Sequence, residues 1–222
     1  MAPVIGELVS DCFYNGKLQT DRPEPPEYYD LLPDSLSKQV VWVDITPLGE
    51  RGFEQFSDDD RDKWNTMEAR VVMSILKTII DSDFMGFLEE DLSQQEPAIG
   101  IICMYDKQRE VIDRMNAEAV WLGNARRLVK VDTVDSYQGK ENRIVILTTV
   151  RNNRELRPGF LRSPNRINVA MSRAMERLII IGASGMWKGR NSQLPLGRIV
   201  AKVEALRSEG KASVVPADHF LE

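Results

Sequence analysis

The sequence predicts an α/β fold in which a mostly parallel sheet is covered by helices on both faces. Short β-rich apolar runs alternate along the chain with segments of helical periodicity, and no internal repeat interrupts this order. Such alternation favours parallel strands joined by helical crossovers. The 222 residues suffice for one large or two small domains. We interpret them as a single α/β domain over 1–222.

The first part of the chain predicts one helix, one strand and two loops. Apolar positions at helical spacing indicate a helix over 4–14. Four prolines make 21–34 an extended connection. A short strand is expected over 40–45, and a loop rich in Gly and Asp over 46–63.

A second helix is predicted over 66–80. Asn65 can cap it, and Glu68 stands at the third position of a capping box. Its expected buried side consists of Val71, Val72, Ile75, Leu76 and Ile79.

The rest of the chain alternates strands and helices. An acidic connector precedes this part of the chain. The predicted strands are 98–104, 128–133, 144–150 and 178–181. The predicted helices are 107–122, 164–175 and 196–207, and 186–222 is expected to be a C-terminal extension that carries a covering helix.

Composition excludes several classes of site. Two cysteines, Cys12 and Cys103, are too few for a disulfide framework or a zinc site. His219 is the one histidine, which makes histidine-based catalysis improbable. No apolar run approaches the ~18 residues of a membrane span, and no signal sequence opens the chain. We therefore expect a protein that is not secreted. Its expected location is the cytoplasm or, in a eukaryote, the nucleus.

Charge is distributed unevenly along the chain. A net charge of −5 and a pI near 5.2 do not by themselves indicate a nucleic-acid binder. Residues 143–177 nevertheless contain eight arginines, two acids and no lysine. Guanidinium groups suit bidentate phosphate contacts, so this stretch is a candidate phosphate-binding region.

Two segments carry the most specific patterns. Residues 131–151 (VDTVDSYQGKENRIVILTTVR) run from a polar turn into an apolar strand, and 163–184 (SPNRINVAMSRAMERLIIIGAS) place arginines before another apolar strand. These segments resemble motifs V and VI of superfamily 1 helicases, in the family that includes the nonsense-mediated-decay and immunoglobulin-mu-binding helicases. Residues 99–112 resemble motif IV less closely. The resemblance covers 1–185 and implies the second RecA-like lobe of a P-loop NTPase fold.

The family resemblance also concerns the start of the chain. Residues 1–20 resemble the stretch that begins inside a tyrosine-arginine-methionine-x-proline motif, which implies an excised domain. No GxxxxGK[ST] loop occurs, and we expect no strand to end in acids that would hold Mg²⁺ beside such a loop. ATP and Mg²⁺ are thus expected to be held mainly by an N-terminal RecA-like lobe of the same protein, and this chain alone is expected to be inactive.

The resemblance implies catalytic roles for two arginines. Arg173 matches the arginine that reaches the γ-phosphate in the family pattern NVAxTRA, although periodicity alone favours an exposed helix face. Arg166 lies two turns earlier and is expected either to assist at the phosphates or to brace its helix against the motif V loop. Substitution of Arg177, at the expected helix exit, should leave the ATPase turnover number nearly unchanged.

Motif V implies the nucleotide-binding residues Gln138, Gly139 and Glu141. A glycine lets backbone N–H groups approach a phosphate, and Glu141 could accept from a ribose hydroxyl or hold a cation. An ordinary exposed turn carboxylate is the alternative for Glu141. Tyr137 replaces the family's usual phenylalanine, and both can pack the turn.

Nucleic-acid contacts are expected on the same edge of the sheet as the nucleotide. The residues implied by the resemblance are Tyr105, Thr133, Val134, Asp135, Ser136 and Ser172. Tyr105 can stack on a base or sugar or simply cap a helix. The leading hypothesis is a helicase or translocase lobe that binds single-stranded DNA or RNA, without a membrane partner. The alternative is a non-catalytic RecA-like binding or scaffold module.

Overall fold

The structure, a computed structural model, describes residues 1–59, 61–91, 97–137 and 139–221. Within them the strands are β1 (Val40–Asp44), β2 (Gln55–Phe56), β3 (Lys63–Trp64), β4 (Ile99–Cys103), β5 (Val129–Thr133), β6 (Asn142–Thr148), β7 (Ala174–Gly182) and β8 (Ala212–Pro216). The α-helices are α1 (Pro3–Phe13), α2 (Thr66–Ile80), α3 (Phe84–Asp91), α4 (Asp106–Glu118), α5 (Pro164–Met171) and α6 (Pro195–Ser208).

Six of these strands form one sheet in the order β5-β4-β6-β7-β1-β8. Every neighbouring pair is parallel, while β2 and β3 form a separate antiparallel hairpin. Residues on β4, β6 and β7 are almost wholly buried. The predicted parallel α/β sheet is confirmed, and its architecture is that of a RecA-like fold.

Helices cover the sheet in two layers. Helices α1, α5 and α6 pack on one another, and α2, α3 and α4 form a second group. The apolar residues expected on the buried side of α2 are all fully buried. In the described part of the chain, no helix is long and apolar enough to cross a membrane.

The start of α2 agrees only partly with the predicted capping box. The Asn65 side chain accepts hydrogen bonds from the N–H groups of Met67 and Glu68, so the cap is confirmed. Glu68 does not return the bond to Asn65. Its Oε2 instead accepts from the Thr148 hydroxyl and from the Val150 N–H, 2.9 Å away. The carboxyl group is therefore used to connect α2 to the end of β6.

Several predicted boundaries were wrong. The helix expected over 164–175 ends at Met171, and β7 begins at Ala174 because Ala174 pairs with Asn142 at the start of β6. Polar residues in the first half of β7 make this part of the strand hard to recognise from the sequence, although the strand is nearly all buried. Helix α3 lies in the supposed acidic connector, and β8 adds an unforeseen edge strand.

Candidate functional site

The predicted site residues divide between the two edges of the sheet. Tyr105 and Thr133 lie where β4 and β5 end, at the carboxyl edge, whereas Glu141 and Arg173 precede β6 and β7 at the amino edge. The expectation of one shared edge was therefore wrong. Strands β5 and β6 both run parallel to β4, so the connection over 134–141 must travel from one edge to the other.

Tyr137 anchors this connection against β4. Its ring is fully buried, and its hydroxyl donates to Asn142 Oδ1 at 2.8 Å. Gly100 of β4 provides the space, because a Cβ there would lie 2.4 Å from the Tyr137 hydroxyl. Tyr137 and Asn142, which lie before and after Gly139 in the sequence, are thus linked by a buried hydrogen bond.

An open cleft of about 590 Å³ lies at the amino edge. We call it the amino-edge cleft. Of the residues predicted to bind nucleotide or act in catalysis, it brings together Gly139, Glu141 and Arg173. Its other lining residues, which sequence reasoning did not single out, are Pro97, Lys130, Lys140, Asn142 and Met175.

Arg173 is held in place by neutral acceptors. Its Nε donates to the carbonyl of Val169 at 3.1 Å, and Nη1 donates to the carbonyl of Lys140 at 3.3 Å. No ion pair to Arg173 occurs among the residues that the structure describes. The guanidinium is consequently oriented without a carboxylate to neutralise it, which leaves its charge available to an external anion.

Ser172 belongs to the surroundings of Arg173. Its hydroxyl donates to the Val169 carbonyl at 3.0 Å and accepts from Arg173 Nη2 at 2.9 Å. The assignment of Ser172 to the nucleic-acid contacts does not fit this geometry, because Ser172 follows α5 at the amino edge. Its hydroxyl orients the arginine instead.

The motif V turn is open toward the amino-edge cleft. Gly139 has φ +80°, which strains any residue with a Cβ, and nothing lies within 4 Å of the place a Cβ would take. Glu141 is exposed at the cleft and forms no ion pair within the described parts of the chain. Gln138 lies outside the described residues.

Arg166 lies at the opposite end of α5 from Arg173. Arg166 lies in the first turn of α5, whereas Arg173 follows the end of the helix at Met171. Both oxygens of Asp135 accept from Arg166, with Nε to Oδ1 at 3.0 Å and Nη2 to Oδ2 at 2.9 Å. This ion pair joins α5 to the motif V connection at the carboxyl edge. Of the two roles considered for Arg166, the geometry favours bracing.

Two aromatic rings extend the Arg166 contact. The guanidinium of Arg166 lies 5.0 Å from the centre of the Phe160 ring, and Tyr105 packs on Phe160 with ring centres 4.5 Å apart. Tyr105 is half-buried at the N-cap of α4. Phe160 was missed from the sequence because it precedes the motif VI match, and no pattern relates it to Tyr105.

The turn after β5 offers two hydroxyls. Those of Thr133 and Ser136 lie 3.2 Å apart, and Ser136 is exposed. The N–H of Val134 is not available to a phosphate, because it already donates to the Cys103 carbonyl at 3.1 Å. The Val134 side chain is buried. The predicted backbone contact from Val134 therefore does not fit the structure. Asp135 remains exposed, but its charge is paired with Arg166.

One strand of the sheet ends on an acid. Asp44 closes β1, but its Oδ1 accepts from the backbone of Thr46 and of Ser184, each at 2.9 Å. The hydroxyls of both neighbours also donate to Asp44. Asp44 thus serves as a structural cap at the carboxyl edge. Among the described residues, no group of three or more His, Cys, Asp or Glu side chains could hold a metal ion.

Comparisons with known proteins agree with this architecture. Residues 1–185 match the family AAA_12, described as an AAA domain. The chain is 33% identical to the helicase required for RNAi-mediated heterochromatin assembly 1 of Schizosaccharomyces pombe over 70% of this chain and 15% of that protein. It is 31% identical to the regulator of nonsense transcripts 1 homolog of Neurospora crassa, over 82% of this chain and 16% of the relative. The regulator of nonsense transcripts 1 of Dictyostelium discoideum is 37% identical, over 82% of this chain and 13% of that protein. The chain thus spans about one seventh of these relatives' length.

Proposed function

Because the chain belongs to the AAA_12 family, the domain of superfamily 1 helicases of the nonsense-mediated-decay type, we propose that it is the second RecA-like lobe of an ATP-dependent helicase or translocase. In this proposal the lobe supplies an arginine finger to ATP and part of a groove for single-stranded nucleic acid. One S. pombe relative is named ATP-dependent helicase upf1, and it is 29% identical over 82% of this chain.

The observation that carries the proposal is the position of Arg173 beside Gly139 and Glu141 in the amino-edge cleft. Phosphoryl transfer depends on positioning and on cations that stabilise charge developing on the phosphoryl oxygens. Arg173 meets the second need, because neutral acceptors orient its guanidinium. The exposed Glu141 carboxylate is suited to accept from a ribose hydroxyl.

The other parts of the ATP site come from elsewhere in this proposal. The sequence contains no GxxxxGK[ST] loop to hold the β- and γ-phosphates. We assign no metal ligand to this chain. Mg²⁺ would be held by the first lobe together with the nucleotide and would supply positive charge to its phosphates. The amino-edge cleft then faces that lobe and closes on the nucleotide.

The carboxyl edge is the proposed contact for single-stranded nucleic acid. The exposed Ser136, the neighbouring Thr133 hydroxyl and the half-buried Tyr105 ring lie there. Phosphate contacts by hydroxyls fix position without reading sequence. Asp135 remains in the proposal through its pair with Arg166, which holds α5 against the turn that carries Ser136.

An ATPase measurement on a two-lobe protein tests the arginine finger. Arg173→Ala should reduce the turnover number by about 10³-fold, the scale seen when an arginine finger is removed. The Michaelis constant for ATP should change far less, because the finger acts on charge present in the transition state. Arg173→Lys should restore little, since an ammonium cannot reproduce the planar fork.

Arg70→Ala is the matched control, because Arg70 is exposed on α2, in the other helical layer. Its turnover should equal that of the unaltered protein. Turnover of Arg173→Ala within a few-fold of the unaltered protein would contradict the assignment. If Arg166→Ala abolished ATP hydrolysis while Arg173→Ala remained active, the arginine finger would be Arg166.

The chain alone should hydrolyse no ATP, with or without nucleic acid, and should bind single strands weakly with a shallow salt dependence. Fluorescence titration of a labelled oligonucleotide measures both the affinity and the salt slope. Nanomolar binding at physiological salt would favour the alternative of a self-sufficient binding module.

A further inference from the structure

Two lysines that sequence reasoning passed over lie in the amino-edge cleft. Lys130 extends from β5 and Lys140 from the turn before β6, and both line the cleft together with Arg173. Among the lining residues these three are cationic and Glu141 is the acid. The lining therefore carries an excess of two positive charges, on a chain whose net charge is −5.

The two ammonium groups share one carboxylate. Asp132 Oδ2 lies 3.7 Å from Lys130 Nζ and 3.6 Å from Lys140 Nζ. One negative charge cannot neutralise two positive ones, so the trio keeps a net charge of +1. The proximity of Lys140, and after it burial, lowers the pKa of Lys130. An anion that approached both groups would relieve their mutual repulsion.

Neutral groups hold both lysines in position. Lys140 Nζ donates to the Ser136 carbonyl at 3.1 Å, within the motif V connection. Lys130 Nζ lies 5.5 Å from the centre of the Tyr137 ring, and that ring is fully buried. Lys130 and Lys140 remain 29% and 46% exposed, so their ammonium groups are accessible. These contacts already order the two lysine side chains in part, so a ligand that binds them loses less free energy in ordering them.

We propose that Lys130 and Lys140 form a second cationic contact for the polyphosphate chain of the nucleotide, with Asp132 as their shared counter-ion when no nucleotide is bound. This inference rests on the proposed function, since it gives the amino-edge cleft its ligand. It assigns to the lysines a role distinct from that of Arg173. The lysines bind phosphate in the ground state, whereas Arg173 acts on the transition state.

The alternative source of the anion is a phosphate of nucleic acid. The Lys140 ammonium lies 3.1 Å from the Ser136 carbonyl, so it is also close to the turn proposed to contact a single strand, and the choice between the two anions depends on charge. Three adjacent cations in one cleft match a chain of linked phosphates better than the isolated monoanionic phosphates of a single strand. We therefore commit to a polyphosphate.

Binding to the 222-residue chain tests the inference directly. Sodium tripolyphosphate and ATP, each without metal, are titrated into ¹⁵N-labelled protein at low salt while the Gly139 and Glu141 amide resonances are followed. Lys130→Met and Lys140→Met should each weaken binding of both ligands by about fivefold or more, the loss of one charged contact. Lys130→Arg should keep most of the affinity. Methionine preserves the length of the side chain, and thermal melts verify that each variant is folded.

Lys188→Met is the control, because Lys188 is exposed beyond the carboxyl end of β7. It should bind both ligands like the unaltered chain. Equal affinities of the unaltered chain and the two cleft variants would overturn the lysine contact alone. Absence of any shift at Gly139 and Glu141 in the unaltered chain would overturn the proposed nucleotide cleft as well. A stronger response of these amides to a single-stranded oligonucleotide than to tripolyphosphate would assign the lysines to nucleic acid.

Discussion

Gly100→Ala should destabilise the protein through one buried contact. A Cβ at this position would lie 2.4 Å from the Tyr137 hydroxyl and 2.6 Å from Asn142 Oδ1, both too close for a contact between a Cβ and a non-bonded heavy atom. The Tyr137 ring is fully buried and cannot move without displacing its neighbours. Overpacking of this kind costs about 1–3 kcal/mol. Loss of the hydrogen bond between Tyr137 and Asn142 adds about 1 kcal/mol, and the reduced freedom of the unfolded chain offsets about 0.4–1 kcal/mol.

The expected net loss is about 2 kcal/mol in the free energy of unfolding, measured by urea titration with tryptophan fluorescence. Gly86→Ala is the control, because Gly86 lies in α3 with nothing within 4 Å of its added Cβ. It should stabilise the protein by about 0.5–1 kcal/mol.

A double-mutant cycle isolates the Tyr137 hydroxyl. In a Tyr137→Phe background the shortest clash of Gly100→Ala disappears, so the substitution should cost at least about 1 kcal/mol less than in the unaltered protein. Additive effects of the two substitutions, within about 0.5 kcal/mol, would refute the packing argument. So would a Gly100→Ala variant as stable as the unaltered protein.

Further predictions concern stability and the carboxyl edge. Burial raises the pKa of Glu68 from its ordinary value of 4.5 to about 7, so the folded protein retains a proton that the unfolded chain releases. The free energy of unfolding should therefore fall by roughly 3 kcal/mol as the pH rises from about 4.5 to 7. Urea titrations of Glu68→Gln should not show this dependence on pH. Arg177→Ala should cost about 2 kcal/mol or more in thermal or urea unfolding, because Arg177 is buried 4.7 Å from the centre of the Tyr29 ring. Asp135→Asn should change stability by less than about 1 kcal/mol, since its pair with Arg166 is exposed, and should tighten oligonucleotide binding at low salt; weaker binding would mean that Asp135 is itself an acceptor for the strand.

Five of the six strands of the sheet were predicted, because each contains an apolar run that can be recognised by itself, whereas β8 was not foreseen. The boundary at Arg173 was harder, since Glu176 and Arg177 in the first half of β7 are polar and their burial depends on partners elsewhere in the chain. The pairing of Ala174 with Asn142 and of Arg177 with Ile144 identifies that segment as a strand.

Motif matches identified single site residues but not their grouping. Ser172 and Thr133 fall in motif segments that the resemblance relates to nucleic acid, yet the topology puts them at opposite edges of the sheet. Lys130 and Lys140 carry no local pattern, because their proximity arises where β5 and the turn before β6 meet across β4. Such groupings depend on strand order, which the alternation of strands and helices does not specify.

The central claim is that Arg173 recognises the transition state of ATP hydrolysis from the amino-edge cleft. Its most direct test compares, in a two-lobe protein, the affinities for a non-hydrolysable ATP analogue and for ADP with aluminium fluoride, which mimics the phosphoryl group in transfer. We predict that Arg173→Ala weakens binding of the aluminium fluoride complex by about 10²-fold or more, as expected for a contact specific to the transition state, and leaves the affinity for the ATP analogue nearly unchanged. Equal losses for the two ligands, or no loss for either, would contradict the account.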